Sequence, residues 1–234
     1  MRIGLGYNIG SYESKMNKVN RIHENYPIND PTRPMVIVGS NKFCDLEGDD
    51  FVPYQYILSN QVKHLILIDG NNSVLHNPRP LIAEDIDLSL INAVILPDRI
   101  IKKVNQEGLY FYQTTAESGG NYFGDKHTCL TRKNTYIQPD KASVEKSFKL
   151  LLDSSFIARI NPAFLQIDIE GHDLELLVDI INRHCRPYII IYEWHYQDPN
   201  NVKALDHHLA ALGYSNVQHP TNPAQNLCYI KATN

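Results

Sequence analysis

From residue 35 onward, short apolar runs alternate with amphipathic stretches. Met35–Val38, His64–Ile68, Leu88–Leu96, Phe164–Ile167 and Tyr188–Tyr192 are rich in Ile, Leu and Val and are bounded by turn-forming or acidic residues. Apolar runs of this length predict strands buried on both faces, as in a parallel sheet. Between them, Phe51–Ser59, Lys141–Leu152, Leu174–His184 and Asn201–Leu212 carry apolar residues at helical spacing, and Gly213 stands where a helix C-cap belongs. Strands alternating with helices predict a parallel sheet with helices on both faces. Tyr214–Gln218 and Leu227–Ala232 flank a link containing Pro220 and Pro223, which predicts an antiparallel hairpin at the sheet edge. Five parallel strands and this hairpin make a seven-stranded sheet.

Two regions break the rhythm. Residues 1–34 are rich in Asn, Gly, Tyr and Lys and end in a series of prolines; they read as an N-terminal arm or lid, with a short helix over Glu13–His23, ahead of a domain spanning 35–234. Residues 105–140 hold Tyr110, Tyr112, Tyr122, Phe123 and the pair Gly119-Gly120. They read as a strand at Leu109–Gln113 followed by a long loop, the kind of segment that often carries function.

Composition narrows the field. An apolar content of 43% over 234 residues supports one sizeable core. The formal charge of -4 lacks the basic excess that phosphate-backbone binding uses, which demotes nucleic acid as a partner. Cys44, Cys129, Cys185 and Cys228 form no C-x-x-C pair, so they read as reduced thiols of a cytoplasmic protein and not as a zinc site. No secretory leader and no membrane span are expected from the apolar runs.

In an open α/β sheet, ligands bind beyond the carboxyl ends of the strands. The residues to inspect there are Gly39-Ser40-Asn41, Asp69, Asn92-Ala93, Asp168-Ile169-Glu170 and Glu193-Trp194-His195. Gly39 permits a tight turn or a close backbone approach. Asp69 offers two oxygens to a vicinal diol such as a ribose. Asp168, Glu170, Glu193 and His195 are candidate bases, and neighbouring carboxylates could also hold a divalent cation such as magnesium. Each has a plainer alternative. Glu170 could cap a helix starting at Gly171, His195 could be an ordinary surface histidine, and His172 reads as solvent-facing.

The stretch Phe164-Leu165-Gln166-Ile167-Asp168-Ile169-Glu170-Gly171-His172-Asp173 resembles the F-L-K-I-D-V-E-G-x-E segment of FkbM-type methyltransferases. Pro187–Glu193 is similar to that family's P-x-I-I-I-E strand, Leu209–Tyr214 to its L-x-x-x-G-Y element, and Val36–Phe43 to its V-D-V-G-A-N-x-G turn, with Ile37 in place of Asp and Phe43 in place of Gly. The similarity is clear over residues 160–232 and diffuse over 35–98. It implies a Rossmann-like class I methyltransferase fold and S-adenosylmethionine as cofactor, with Gly39, Ser40, Asn41, Asp69, Asn92 and Ala93 lining the cofactor. Asp168, Glu170, Glu193 and His195 would face a hydroxyl acceptor of a sugar, glycan or related small molecule. Ile37 and Phe43 motivate a second reading, a catalytically degenerate member serving as a binding or scaffold module. The arm before Pro34 leaves a homodimer and a lid open as alternatives.

Overall fold

The structure is a computed structural model and describes residues 22–40, 51–70, 75, 86–107, 110–114, 122–124, 136–137, 150–195, 197–219 and 223–232. Its centre is an eight-stranded sheet: β1 (Met35–Val38), β2 (His64–Asp69), β3 (Asp87–Ile95), β7 (Leu150–Leu152), β8 (Phe164–Ile167), β9 (Ile189–Glu193), β10 (Tyr214–Gln218) and β11 (Asn226–Lys231). The order across it is β10-β11-β9-β8-β1-β2-β3-β7. The β3-β2-β1-β8-β9 block is parallel, as is β7 on β3, while β11 runs antiparallel to both β9 and β10. The sheet thus contains the seven strands expected from the sequence and an eighth, β7, at its edge.

Strand alternation sorts the core into two faces. Met35, Ile37, Leu65, Leu67, Phe164, Ile189 and Ile191 pack against α1 (Ile22–Asn25) and α2 (Phe51–Leu58). Val36, Val38, Leu165, Ile167, Ile190 and Tyr192 pack against α4 (Ser154–Ile160), α5 (Asp173–Asn182) and α6 (Pro199–Ala211). On α5, Leu176, Leu177, Ile180 and Ile181 are each fully buried, worth ~1.5–3 kcal/mol apiece in area removed from water. The helix starts are written in the sequence: Asp153 accepts from the backbone N–H of Ser155, and Asp198, followed by Pro199, accepts from that of Asn200. Within the segment read as an arm, Ile22 and Ile28 belong to the core, and Gln61 on the turn after α2 accepts from Ile28 N.

Several expectations need correction. Lys141–Leu152 was expected to be helical; Leu150–Leu152 is instead β7, because three leucines beside the open edge of β3 complete a parallel ladder there, and residues 141–149 lie outside the described ones. Leu109–Gln113 corresponds to β4 (Tyr110–Thr114), which joins β5 (Tyr122–Gly124) and β6 (Tyr136–Ile137) in a separate three-stranded antiparallel sheet, so the long loop contains further strands. A helix not anticipated, α3 (Asp98–Glu107), follows β3 and packs through Ile100 and Val104. Of the helix expected over Glu13–His23, the described residues are Ile22 and His23, which lie in α1; the rest is outside the described residues. Cys185 and Cys228 are buried free thiols, pushed up by burial to about 11 and about 12. Among the described residues no helix is long and apolar enough to cross a membrane.

Candidate active site

The strand order reverses between β1 and β8, so the carboxyl ends of those two strands form the switch point. Gly39 sits there with φ of 74°, and a Cβ added to it would lie 1.6 Å from the carbonyl oxygen of Asp168. What approaches Gly39 closely is therefore the backbone at the end of β8. Its N–H and that of Ser40 both donate to the Ile68 carbonyl, at 2.9 and 3.1 Å. Ser40 is buried, and its hydroxyl has no hydrogen-bond partner among the described residues.

The ladders align the other candidates. Asn92 is the partner of Asp69, and Asn226 that of Glu193. The ladders between β1 and β2, β1 and β8, and β8 and β9 run to Val38↔Ile68, Val38↔Ile167 and Ile167↔Tyr192. One step further sets Asp69, Gly39, Asp168 and Glu193 level, and the bonds from Gly39 N to Ile68 O and from Asp168 N to Val38 O, both 2.9 Å, carry that step. A single row of Asn92, Asp69, Gly39, Asp168, Glu193 and Asn226 thus crosses the sheet at its carboxyl edge. The row two residues earlier is Leu67, Ile37, Gln166, Ile191 and Cys228. Polar groups top a column that is apolar but for Gln166 on one face, with the glycine as the gap in the middle.

Each half of the row is held differently. On one side, the Asn92 carboxamide donates to the main-chain carbonyls of Asp69 (3.1 Å) and Gly70 (3.3 Å), fixing the backbone at the end of β2. Asn92 and Ala93 lie inside β3, which continues to Ile95, and not past its end. Asn92 still reaches the site because it stands level with Asp69, whereas Ala93 is buried against the opposite core.

On the other side, residues 168–172 form a tight turn with Glu170 at φ 60° and Gly171 at φ 114°. The clasp is Asp173, fully buried, whose two carboxylate oxygens accept from the N–H groups of Ile169 and Gly171, each at 2.8 Å. Helix α5 therefore begins at Asp173, one residue before the expected Leu174–His184 stretch, with His172 at the N-cap position, and Glu170 is not its cap: it is a residue of the turn in the left-handed region. His172, expected at the surface, is 4% exposed. Glu193 is buried at the end of β9, and Nδ1 of His195 lies 3.1 Å from its Oε1. Carboxylate oxygens of Asp168, Asp173 and Glu193 all lie within 4.8 Å of one another, the one such group among the described residues able to hold a metal ion.

Asn41 and Phe43 lie outside the described residues. The structure thus brings Ser40, Asp69 and Asn92 to one side of Gly39, and Asp168, Glu170, Glu193 and His195 to the other. Sequence reasoning missed Asp173, although it occupies the second Glu of the E-G-x-E pattern. It also missed Asn226, because an antiparallel strand reaches the carboxyl edge with its first residue and not its last.

Against known proteins, the chain matches one family, and it is a family of methyltransferase domains. The methyltransferase FkbM domain covers residues 38–216, and the chain belongs to that family. No curated protein and no solved structure matches it.

Proposed function

We propose that this chain is an S-adenosylmethionine-dependent O-methyltransferase acting on a hydroxyl of a sugar or related neutral polyol. The observation that carries the proposal is the polar row split by Gly39. One half offers a carboxylate for a diol, and the other offers a carboxylate-supported imidazole. The residues fit the cofactor. Asp69 has two oxygens for vicinal hydroxyls, its backbone is fixed by Asn92, and the buried Ser40 hydroxyl, next in the chain to Gly39, has hydrogen-bonding capacity to give.

The cofactor would supply a methyl group activated by a sulfonium, for in-line displacement by the acceptor oxygen. The protein's task is to position that oxygen and remove its proton. A neutral alcohol is a weak nucleophile, so a base is useful. The Glu193 carboxylate beside Nδ1 favours the tautomer with its proton on that nitrogen, which leaves Nε2 to accept the acceptor's proton. Asp168 and Glu170 flank the gap and would hold the acceptor's other hydroxyls. Should a diol need a cation, Asp168, Asp173 and Glu193 are where it would sit, although Asp173 is already occupied as the clasp.

Ile37 is one of the two motives for the scaffold reading. It is fully buried one row beneath the site, within the sheet. Transfer of a labelled methyl group from S-adenosylmethionine to neutral methyl glycosides tests the proposal. His195→Ala is expected to slow transfer ~10²–10⁴-fold without weakening S-adenosylhomocysteine binding. A variant as fast as the parent chain would remove His195 from the reaction.

A further inference from the structure

The row does not end at Glu193. Asn226, the first residue of β11, is directly opposite it and 4% exposed. In an antiparallel pair, opposed residues project from the same face with Cβ atoms ~4.5–5.5 Å apart. On the far side, Gln218 pairs with Leu227, so the next position, His219, stands level with Asn226, and it is 1% exposed. The link between β10 and β11 is also tied to the loop carrying His195. The backbone N–H of Trp194 donates to the Gln225 carbonyl at 2.8 Å, and its indole N–H points to the Pro223 carbonyl at 3.4 Å. One row earlier on the same hairpin, Cys228 and Val217 are apolar and pack into the core. The change from apolar to polar therefore occurs at the level of the site.

We propose that Asn226 and His219 are specificity-determining residues that bind the acceptor's non-reacting hydroxyls, so that the C-terminal hairpin forms the acceptor end of the row and Asp69 with Asn92 the cofactor end. The inference rests on the methyltransferase reading above. Carboxamide and imidazole both donate and accept, as hydroxyl groups require. Neighbouring strands space these groups ~4.8 Å apart, which suits several oxygens of one polyol better than a single hydroxyl. The carboxylates of Asp168 and Glu193 in the same row disfavour a phosphorylated or carboxylated acceptor.

The test is saturation-transfer NMR with the methyl glycosides of glucose, galactose, mannose and rhamnose, in the presence of saturating S-adenosylhomocysteine. Asn226→Leu and His219→Gln should keep S-adenosylhomocysteine affinity within about twofold and weaken glycoside binding at least about fivefold, the loss of one hydrogen bond. Asn226→Asp, which keeps the size of the side chain, should show the same loss and covers a Leu variant that fails to fold. Glycoside binding unchanged in variants that still bind S-adenosylhomocysteine overturns the role of the hairpin and leaves the methyltransferase reading standing. A parent chain that binds S-adenosylhomocysteine but none of the glycosides overturns the acceptor class. A parent chain that binds neither overturns the underlying reading.

Discussion

The two ends of the sheet both carry polar groups against the core, but they use them in opposite ways. At the amino end, Arg33 is committed wholly to the fold. Its guanidinium donates to the carbonyls of Asn161 (2.9 Å), Pro162 (2.7 Å) and Arg186 (3.0 Å) and to the Asn161 side chain (3.1 Å), and it stacks over the Tyr188 ring at 5.0 Å. At the carboxyl end, Asp168, Asp173 and Glu193 bring like charges within 4.8 Å of one another beside a left-handed turn. Backbone strain and crowded carboxylates destabilise a fold, and they persist where the surroundings over-determine them, typically at functional sites. One end serves the fold, and the other is where the proposed chemistry would take place.

Substitutions can break this contrast. The largest effect is expected from Gly39→Ala, which adds a methyl group 1.6 Å from a backbone oxygen at a positive φ. A loss of more than ~4 kcal/mol and loss of cofactor binding are expected, read by denaturant unfolding and calorimetry. Unchanged stability would mean that β1 and β8 are not packed as described.

Next is a pair of positions one row below the site. The family pattern carries Asp and Lys where this chain has Ile37 and Gln166, and these two are ladder partners, both buried. Both residues are neutral here, and the Gln166 side-chain carbonyl oxygen has no hydrogen-bond partner among the described residues. Ile37→Asp alone should cost ~3–5 kcal/mol as an unpaired buried charge, and adding Gln166→Lys should recover at least ~2 kcal/mol of it. Additive losses would show that the positions are uncoupled.

Smaller again, Arg33→Ala should cost ~3 kcal/mol through several lost hydrogen bonds from a charged group while leaving S-adenosylhomocysteine affinity unchanged. A drop in that affinity would show that the two ends are not separable.

Most of the fold was legible because buried parallel strands are continuous apolar runs: β1 and β8 match their expected limits and β2 and β9 differ by a residue or two. The antiparallel β10 also matches its limits, set by Gly213 before it and the proline-bearing link after it. The misses have specific causes. Leu150–Leu152 suits a strand as well as a helix, and only the open edge of β3 decides. The stripe of Ile100, Ile101 and Val104 in α3 was present but lay between a strand and an irregular region, where it lost its frame. The site was partly legible. The strand-end rule reached Asp69, Asp168 and Glu193. The level alignment of Asn92, the clasp by Asp173 and the arrival of Asn226 from the hairpin depend on register and loop geometry, which the sequence does not display.

The most direct test of the central claim is calorimetric titration of S-adenosylhomocysteine into the purified chain. If the row at the carboxyl edge is a working cofactor site, binding has a Kd on the order of micromolar and falls at least ~10-fold, a loss of ~1.4 kcal/mol, in Asp69→Ala. No heat up to millimolar ligand, or an Asp69→Ala variant that binds as the parent does, would contradict it.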